Sequence, residues 1–191
     1  MSGSKEKLQK AFLALLGEKP FEKITIKEIV ERAGVSRASY YRHYYTQMSL
    51  LEQIIDDFFA ELSNIPEKNG VELPFHGEQD WRFKAVVYQM LLCYKKHGRE
   101  LKCILESTVG SVLEKRMYEY LDTEFRPKTA ESSEQVVSAA DINRFCAAGF
   151  VRFLHDWIVS DCAAPVEEML DFTLRISELA ARYARETQEK Q

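Results

Sequence analysis

The 191-residue sequence is poor in cysteine and has no long apolar run. Its four cysteines show no C-x-x-C spacing, and its four histidines form no metal-binding pair. Buried, reduced thiols are therefore the simplest interpretation, and neither a disulfide framework nor a metal site is predicted. No stretch of 18 uncharged apolar residues occurs, and the N-terminal MSGSKEKLQK lacks a signal-peptide apolar region. These absences predict a cytoplasmic protein with no membrane partner.

The sequence also lacks any useful stretch in which apolar and polar residues alternate, so no strand is predicted. Apolar residues recur instead at helical spacing over about 4–18, then through a helix-turn-helix pattern, and from 46 to Ile65. Pro66 is expected to stop that last helix, and loops are expected over 66–79 and 128–135. Further helices are predicted at about 80–97, 99–109, 111–125, 136–160 and 165–187. The fold class predicted is all-α.

The most informative segment runs from Ile24 to Leu51. Thr25 and Glu28 have the Thr-x-x-Glu spacing of a capping box, which predicts a helix start. Gly34 stands where a left-handed residue would end that helix, and Ser36 can cap a second one. The second short helix carries many hydrogen-bonding side chains. This order of elements is typical of a helix-turn-helix that reads DNA.

Charge is distributed unevenly along the chain. The whole chain has a net charge of −4, but residues 1–48 hold nine Lys and Arg against five Glu, a net of +4. The remaining residues therefore have a net charge of −8. A basic segment attached to an acidic body is consistent with docking one end of the protein on a polyanion.

The sequence of the segment also resembles a known family. Ala-Gly-Val-Ser at 33–36, Tyr41, His43-Tyr44 and a capping Thr46 before an apolar helix resemble the signature of the tetracycline-repressor (TetR) family of bacterial regulators. The resemblance covers roughly residues 8–55. It implies a three-helix DNA-binding head over 1–48, a connecting helix over 49–65, and a helical ligand-binding and dimerisation domain over 66–191.

Three positions depart from the family pattern. Tyr44 replaces the usual Phe, Gln47 replaces a Lys and Met48 replaces a Glu. Gln47 lacks the positive charge of the Lys that faces a DNA phosphate in the family. Lower affinity for the DNA backbone is therefore expected.

The expected role of each residue in DNA binding follows from how helix-turn-helix motifs dock, with the second helix in the major groove. Arg37 is the best candidate to read a base, because its planar fork can donate two hydrogen bonds to guanine, although a phosphate contact is the alternative. Free backbone N–H groups at Thr25 and Lys27 can attract a phosphate. The full set of candidate DNA-binding residues is Thr25, Lys27, Ser36, Arg37, Ala38, Ser39, Tyr40, Tyr41, His43 and Gln47.

The sequence of the body, residues 66–191, is less informative. Apolar residues at helical spacing occur in ordinary protein cores as well as in ligand pockets and interfaces. An apolar, aromatic effector pocket is expected, with candidate lining residues Trp81, Tyr88, Tyr94, Cys103, Tyr118 and Phe150. The resemblance implies that the last two helices form a four-helix bundle across a two-fold axis. Candidate interface residues on those helices are Phe145, Phe153, Trp157, Met169, Phe172 and Ile176.

These patterns predict a homodimeric transcriptional repressor that binds a palindromic double-stranded DNA operator and is released by a small apolar or aromatic effector. No cofactor and no catalytic residue is expected. Two alternatives remain open at this point. One is a ligand-sensing coactivator of the same fold that does not bind DNA, and the other is a helical enzyme using His97 or Cys103.

Overall fold

The computed structural model describes residues 3–70, 81–124 and 139–188. Over these ranges the regular structure is entirely helical, which confirms the all-α prediction. The predicted loop at 128–135 and most of the one at 66–79 lie outside the described residues. The helices are α1 (Ser4–Leu16), α2 (Ile26–Ala33), α3 (Arg37–Tyr41), α4 (Gln47–Lys68), α5 (Trp81–Lys96), α6 (Gly98–Leu105), α7 (Gly110–Glu124), α8 (Ala139–Val159) and α9 (Val166–Gln188), with a 3₁₀ turn at Phe21–Lys23.

The head, residues 3–45, is formed by α1, α2 and α3 around a small core. The apolar stripe of α1, with Leu8 and Phe12, is fully buried. It packs mainly against α2, whose Ile29 is also fully buried. Burying such stripes stabilises the three-helix unit, at roughly 1.5–3 kcal/mol for each large side chain.

Helix α4 is longer than predicted, because it does not stop at Pro66. The proline lies in the last turn of the helix, which continues to Lys68 and ends at Asn69. A proline this close to the end removes one backbone hydrogen bond while its ring is buried against the core. Helix α4 therefore extends 22 residues from the head deep into the body.

The body is a bundle of α5 to α9 with the inner part of α4. Helix α5 packs between α4 and α9, while α7 and α8 pack on each other. The core includes Leu91, Leu113, Leu154 and Ile158, all almost completely buried. No helix within the described ranges is long and apolar enough to cross a membrane.

The head touches the body through α6 as well as through α4. The Cys103 thiol donates a hydrogen bond to the Leu13 carbonyl of α1 over 3.1 Å. Just beyond α6, the Thr108 hydroxyl donates to the Glu22 carboxylate in the 3₁₀ turn at 3.1 Å. The head is therefore joined to the body by these hydrogen bonds as well as by α4.

Candidate nucleic-acid interface

The turn between α2 and α3 has the geometry that the sequence predicted. Thr25 and Glu28 form a reciprocal capping box at the start of α2. Gly34 ends that helix with φ 64° and ψ 39°, a left-handed conformation that glycine adopts without strain. The Ser36 hydroxyl then accepts a hydrogen bond from the Ser39 N–H and caps α3. The two helices are therefore held at a fixed angle by local hydrogen bonds.

The outer face of α3 carries positive charge that no acid neutralises within the described ranges. Arg37 and Arg42, at the two ends of the helix, are both exposed and form no ion pair with a described residue. Ala38 is exposed beside Arg37, and the Tyr41 ring is 53% exposed. A short helix with a small residue between cationic and aromatic groups can approach DNA closely. Arg42 was missed from the sequence, where nothing separates it from other surface arginines.

Of the predicted DNA contacts, Tyr40 is wrong, because its side chain lies in the head core, whereas the contact of Ser39 stays a prediction. Tyr40 is fully buried, and its hydroxyl donates a hydrogen bond to the Thr46 carbonyl at 2.9 Å. Its ring packs against Tyr41 and Tyr44, with centroids 5.7 Å apart in both pairs. Ser39 is also buried. Tyr40 orients α3 from behind, and Tyr44 is also buried in the head core.

The residues after α3 extend the exposed surface. His43 is exposed, and its Nε2 lies 2.8 Å from the Ser4 hydroxyl at the start of α1. Tyr45 is 84% exposed, although the sequence gave no reason to separate it from its tyrosine neighbours. An exposed aromatic ring next to a basic helix can pack on a sugar or donate to a phosphate. The polar surface therefore continues from α3 to the start of α1.

Gln47 has an internal hydrogen bond that the sequence did not reveal. Its side-chain amide donates to the Ile24 carbonyl over 2.8 Å, which ties the first residue of α4 to the segment before α2. The amide retains a second N–H for an outside acceptor. Gln47 therefore holds the start of α4 in place and still has a donor to offer to a phosphate.

The first turn of α2 presents backbone donors and balanced charge. The hydroxyl of Thr25 is used within the capping box, since it donates to Glu28 at 2.8 Å. Hydrogen bonds from Lys19 and Thr25 lower the pKa of Glu28 to about 2, so this carboxylate stays ionised. Lys19 pairs with it and offsets its charge, while Lys27 is exposed next to Glu31 at 3.8 Å. The Thr25 and Glu28 N–H groups also donate within the capping box, so the predicted free N–H of Thr25 is wrong. The N–H groups of Ile26 and Lys27 are the backbone donors left at this helix start.

Comparison with known proteins agrees with this geometry. Residues 4–54 match the family model described as bacterial regulatory proteins, tetR family, and residues 82–179 match the one described as transcriptional regulator C-terminal region. The second match alone covers just over half of the chain. The chain belongs to the tetR family of bacterial regulatory proteins. It is a transcriptional regulator whose N-terminal part is the family's DNA-binding region.

Individual relatives are distant. The uncharacterized HTH-type transcriptional regulator YxbF of Bacillus subtilis strain 168 is 44% identical over 50 residues, which are 26% of this chain and 13% of that protein. A TetR transcriptional regulator from Streptococcus agalactiae 2603V is 21% identical, with 91% of this chain and 92% of that one covered and a TM-score of 0.63. The dihydroxyacetone kinase operon activator DhaS is 16% identical over 95% of this chain and 96% of its own, with a TM-score of 0.59. The two structural likenesses show a shared fold.

The residues predicted for an effector pocket do not come together in this TetR-family chain. Trp81 is 73% exposed at the start of α5, and Cys103 lies at the contact with α1 in the head. Tyr88 donates a hydrogen bond to Glu167 of α9 over 3.0 Å near the surface. Tyr118 and Phe150 are half-buried against the core. A single site lined by all six residues is therefore wrong, since they lie on different faces of the body.

Of the six, Tyr94 alone has the burial and polarity expected of a ligand contact. It is buried in the middle of the body, and burial raises the pKa of its hydroxyl. Its ring centroid lies 5.1 Å from that of Phe58. Among the described residues, its hydroxyl has no hydrogen-bond partner. An orphaned donor in an aromatic core costs roughly 1–3 kcal/mol, which a bound acceptor would offset.

The predicted dimer residues separate into a buried and an exposed group. Trp157 and Met169 are core residues of the single chain, and the Trp157 indole N–H donates to the Ala164 carbonyl at 2.9 Å. Assigning them to a dimer seam is wrong, because both side chains are already buried within the single chain. Phe145 is 80% exposed, whereas Phe153 packs against Phe172 with ring centroids 4.2 Å apart.

An apolar stripe runs along the outside of α9. Its members recur at helical spacing on one face, and three of them are large exposed side chains. Phe172 lies at its beginning, and the remaining members are Ile176, Leu179 and Tyr183. Phe172 and Ile176 are among the candidate interface residues named from the sequence.

Proposed function

We propose that the protein is a ligand-responsive homodimeric repressor in which each head binds one half of a palindromic operator. The observation that carries the proposal is the pair Arg37 and Arg42. These exposed cations flank a short capped helix and have no ion pair within the described part of the chain. A head that had lost its affinity for DNA would have no need of unneutralised arginines at this position, and this argues against the coactivator alternative.

The proposed contacts divide by chemistry. Arg37 and Ala38 lie at the leading end of α3 and are assigned to base edges in the major groove. Ser36, Tyr41, Arg42, His43 and Tyr45 surround them and are assigned to phosphates and sugars. Lys27, the first-turn N–H groups of α2 and the spare amide hydrogen of Gln47 bind a phosphate on the other side.

We assign the dimer interface to the exposed apolar face of α8 and α9. The stripe on α9 and Phe145 on α8 expose large apolar side chains. Contiguous apolar surface of this kind marks an interface, and a two-fold dimer buries the same patch from both copies. Pairing the bodies in this way places two heads on one operator.

The effector is proposed to enter the core beside Tyr94. The surrounding rings, Phe58 and Tyr120, favour an apolar or aromatic molecule, and the Tyr94 hydroxyl favours one with a hydrogen-bond acceptor. Phe58 lies on α4, so a ligand that displaces this helix would change the spacing of the two heads. Such a ligand releases DNA by binding more tightly to the wrongly spaced dimer.

The direct test is selection of bound sequences from a pool of random duplexes. The proposal predicts an inverted repeat whose half-sites are centred about one helical turn, 34–36 Å, apart or a multiple of it. The control is the variant Arg37→Ala/Arg42→Ala, which should select no common sequence. If the unmodified protein enriches no sequence, or only a single half-site, the homodimeric repressor is contradicted.

A further inference from the structure

A cluster of metal-ligating side chains lies where α4 meets the end of α5. Cys93 and His97 are one turn apart on α5, so they occupy the same face of the helix. Glu61 of α4 faces them, and single donor atoms of the three residues all lie within 4.8 Å of one another. The sequence could not show this group, because Glu61 is distant in the chain from the other two.

The second observation concerns how His97 is held. Its Nδ1 lies 2.9 Å from the Glu100 carboxylate, and its Nε2 lies 3.0 Å from the Glu61 carboxylate. A carboxylate on the outer ring nitrogen is the arrangement that fixes a metal-binding histidine, because it places the proton on that nitrogen and leaves the other free. The other ring nitrogen, Nε2, faces Glu61, and the hydrogen bond between them is the contact that a metal ion would replace.

We propose that Glu61, Cys93 and His97 bind a divalent transition metal ion, with zinc the best fit to one sulfur, one nitrogen and one oxygen donor. Three protein ligands leave the fourth tetrahedral position for water or a small anion. Donors around one zinc ion lie roughly 3–4 Å apart, given bonds of about 2.0–2.3 Å. The His97–Glu61 pair already has this spacing, and the Cys93 sulfur needs to move by about an ångström at most.

When a metal ion binds here, it replaces protons and hydrogen-bond partners of the three ligands. The Cys93 thiol is buried at the contact between α4 and α5. The metal forms bonds to the Cys93 sulfur, to His97 Nε2 and to a Glu61 oxygen. The thiol proton and the proton shared by His97 and Glu61 are both released to solvent. The Lys96 ammonium lies 2.7 Å from Glu61 Oε1, whereas His97 contacts Oε2, so a metal bound through Oε2 competes with Lys96 for the charge of the same carboxylate. Because the ligands come from both helices, the ion joins α4 to α5.

The test uses cobalt(II) as a spectroscopic probe for zinc on the full-length, chelator-treated protein. We expect one cobalt ion per chain, with visible bands of tetrahedral coordination and a near-ultraviolet sulfur-to-metal charge-transfer band, both abolished by added zinc. Cys93→Ser should remove the charge-transfer band, whereas the matched control Cys146→Ser on α8 should retain it. Zinc should also raise the melting temperature of the unmodified protein and leave that of Cys93→Ser unchanged.

Further variants separate a metal site from a simple ion-pair network. Glu61→Gln, a change at an exposed side chain, should weaken binding at least tenfold, and Glu100→Gln should weaken it about 10–100-fold. Lys96→Ala should tighten binding, because it removes the competing cation. The proposal is overturned if the unmodified protein shows no charge-transfer band, or if Cys93→Ser retains the band at full strength. It is also overturned if Lys96→Ala leaves the affinity for cobalt unchanged. None of these measurements involves DNA, so they stand apart from the test of the repressor.

Discussion

At the scale of single residues, the proposed recognition surface depends on hydrogen bonds made within the head and at the start of α4. Tyr40 fills the head core and donates to the Thr46 carbonyl, which joins the end of α3 to the start of α4. Gln47 then ties the start of α4 to Ile24. These two hydrogen bonds fix the position of Arg37 relative to the rest of the head. Partly buried hydrogen bonds therefore position the proposed DNA-binding surface, whereas its exposed cations are expected to provide the affinity for DNA.

Gln47 provides the first prediction. Gln47→Lys should tighten binding to cognate and random DNA alike, because it adds a cation facing phosphate on each head. The slope of log affinity against log salt should steepen by about one unit per head, or about two per dimer. Gln47→Ala is the matched control, and it should lower the melting temperature by removing the bond to Ile24. Unchanged affinity and slope in Gln47→Lys would show that α4 does not start at a phosphate.

Glu28 gives a prediction about pH. Its pKa falls from 4.5 to about 2 in the folded chain, chiefly through Lys19 and Thr25. Because the folded-state pKa is depressed, its stabilising effect is complete above pH 4.5 and is lost as the pH falls toward 2. Glu28→Gln should therefore melt at a lower temperature than the unmodified protein at pH 6, and the gap should narrow steadily below pH 4.5.

Glu31→Gln is the control for this pH experiment, because Glu31 pairs only loosely with Lys27 on the exposed surface. Its melting temperature should stay close to that of the unmodified protein at every pH. A gap for Glu28→Gln that stays constant from pH 6 to pH 3 would contradict the assignment.

At the scale of elements, close approach between α6 and α7 depends on a missing side chain. A Cβ placed on Gly110 would lie 2.3 Å from the Leu105 carbonyl oxygen, a clash with backbone that no rotamer can relieve. Gly110→Ala should lower the free energy of unfolding by about 1–3 kcal/mol, as overpacking of a core does. Urea denaturation monitored by circular dichroism measures it. Ser111→Ala, one residue along on the exposed side, should change stability little, and equal losses in both would refute the steric reason.

Element type was predictable from sequence, but end points and orientations were less so. The capping box, Gly34 and Ser36 are local signals, and each of them is found where the sequence indicated. Pro66 was misjudged, because a local rule cannot see that a buried last turn compensates for one lost hydrogen bond. The five-residue length of α3 also left open which of its side chains face inward.

For the candidate sites in the body, the sequence also did not reveal which residues from different helices come together. Trp157 looked like an interface residue because its spacing matches that of Phe153, but its side chain is buried within the single chain. Cys93 and His97 looked isolated because their partner, Glu61, lies on a different helix. Periodicity identifies the apolar face of a helix and says nothing about which element covers it.

At the scale of the whole molecule, the account requires two chains. Phe172→Glu and Leu179→Glu, both on the exposed stripe of α9, should convert the dimer to a monomer of 22.2 kDa. Two variants are used because Phe172 also packs on Phe153 within the chain, whereas Leu179 is more exposed. Leu92→Glu, at an exposed apolar residue of α5, is the control and should remain dimeric. Light scattering that gives a monomer for the unmodified protein would contradict this interface.

The most direct test of the central claim, that α3 reads a specific duplex, is a fluorescence-anisotropy titration of labelled cognate and random DNA at several salt concentrations. The protein should bind the cognate duplex more tightly than the random one, and its affinity for both should fall steeply as the salt concentration rises. Arg37→Ala should cost on the order of 1–3 kcal/mol per head on the cognate duplex and leave random binding nearly intact. Equal affinity of the unmodified protein for cognate and random DNA, or an equal loss on both in Arg37→Ala, would contradict it.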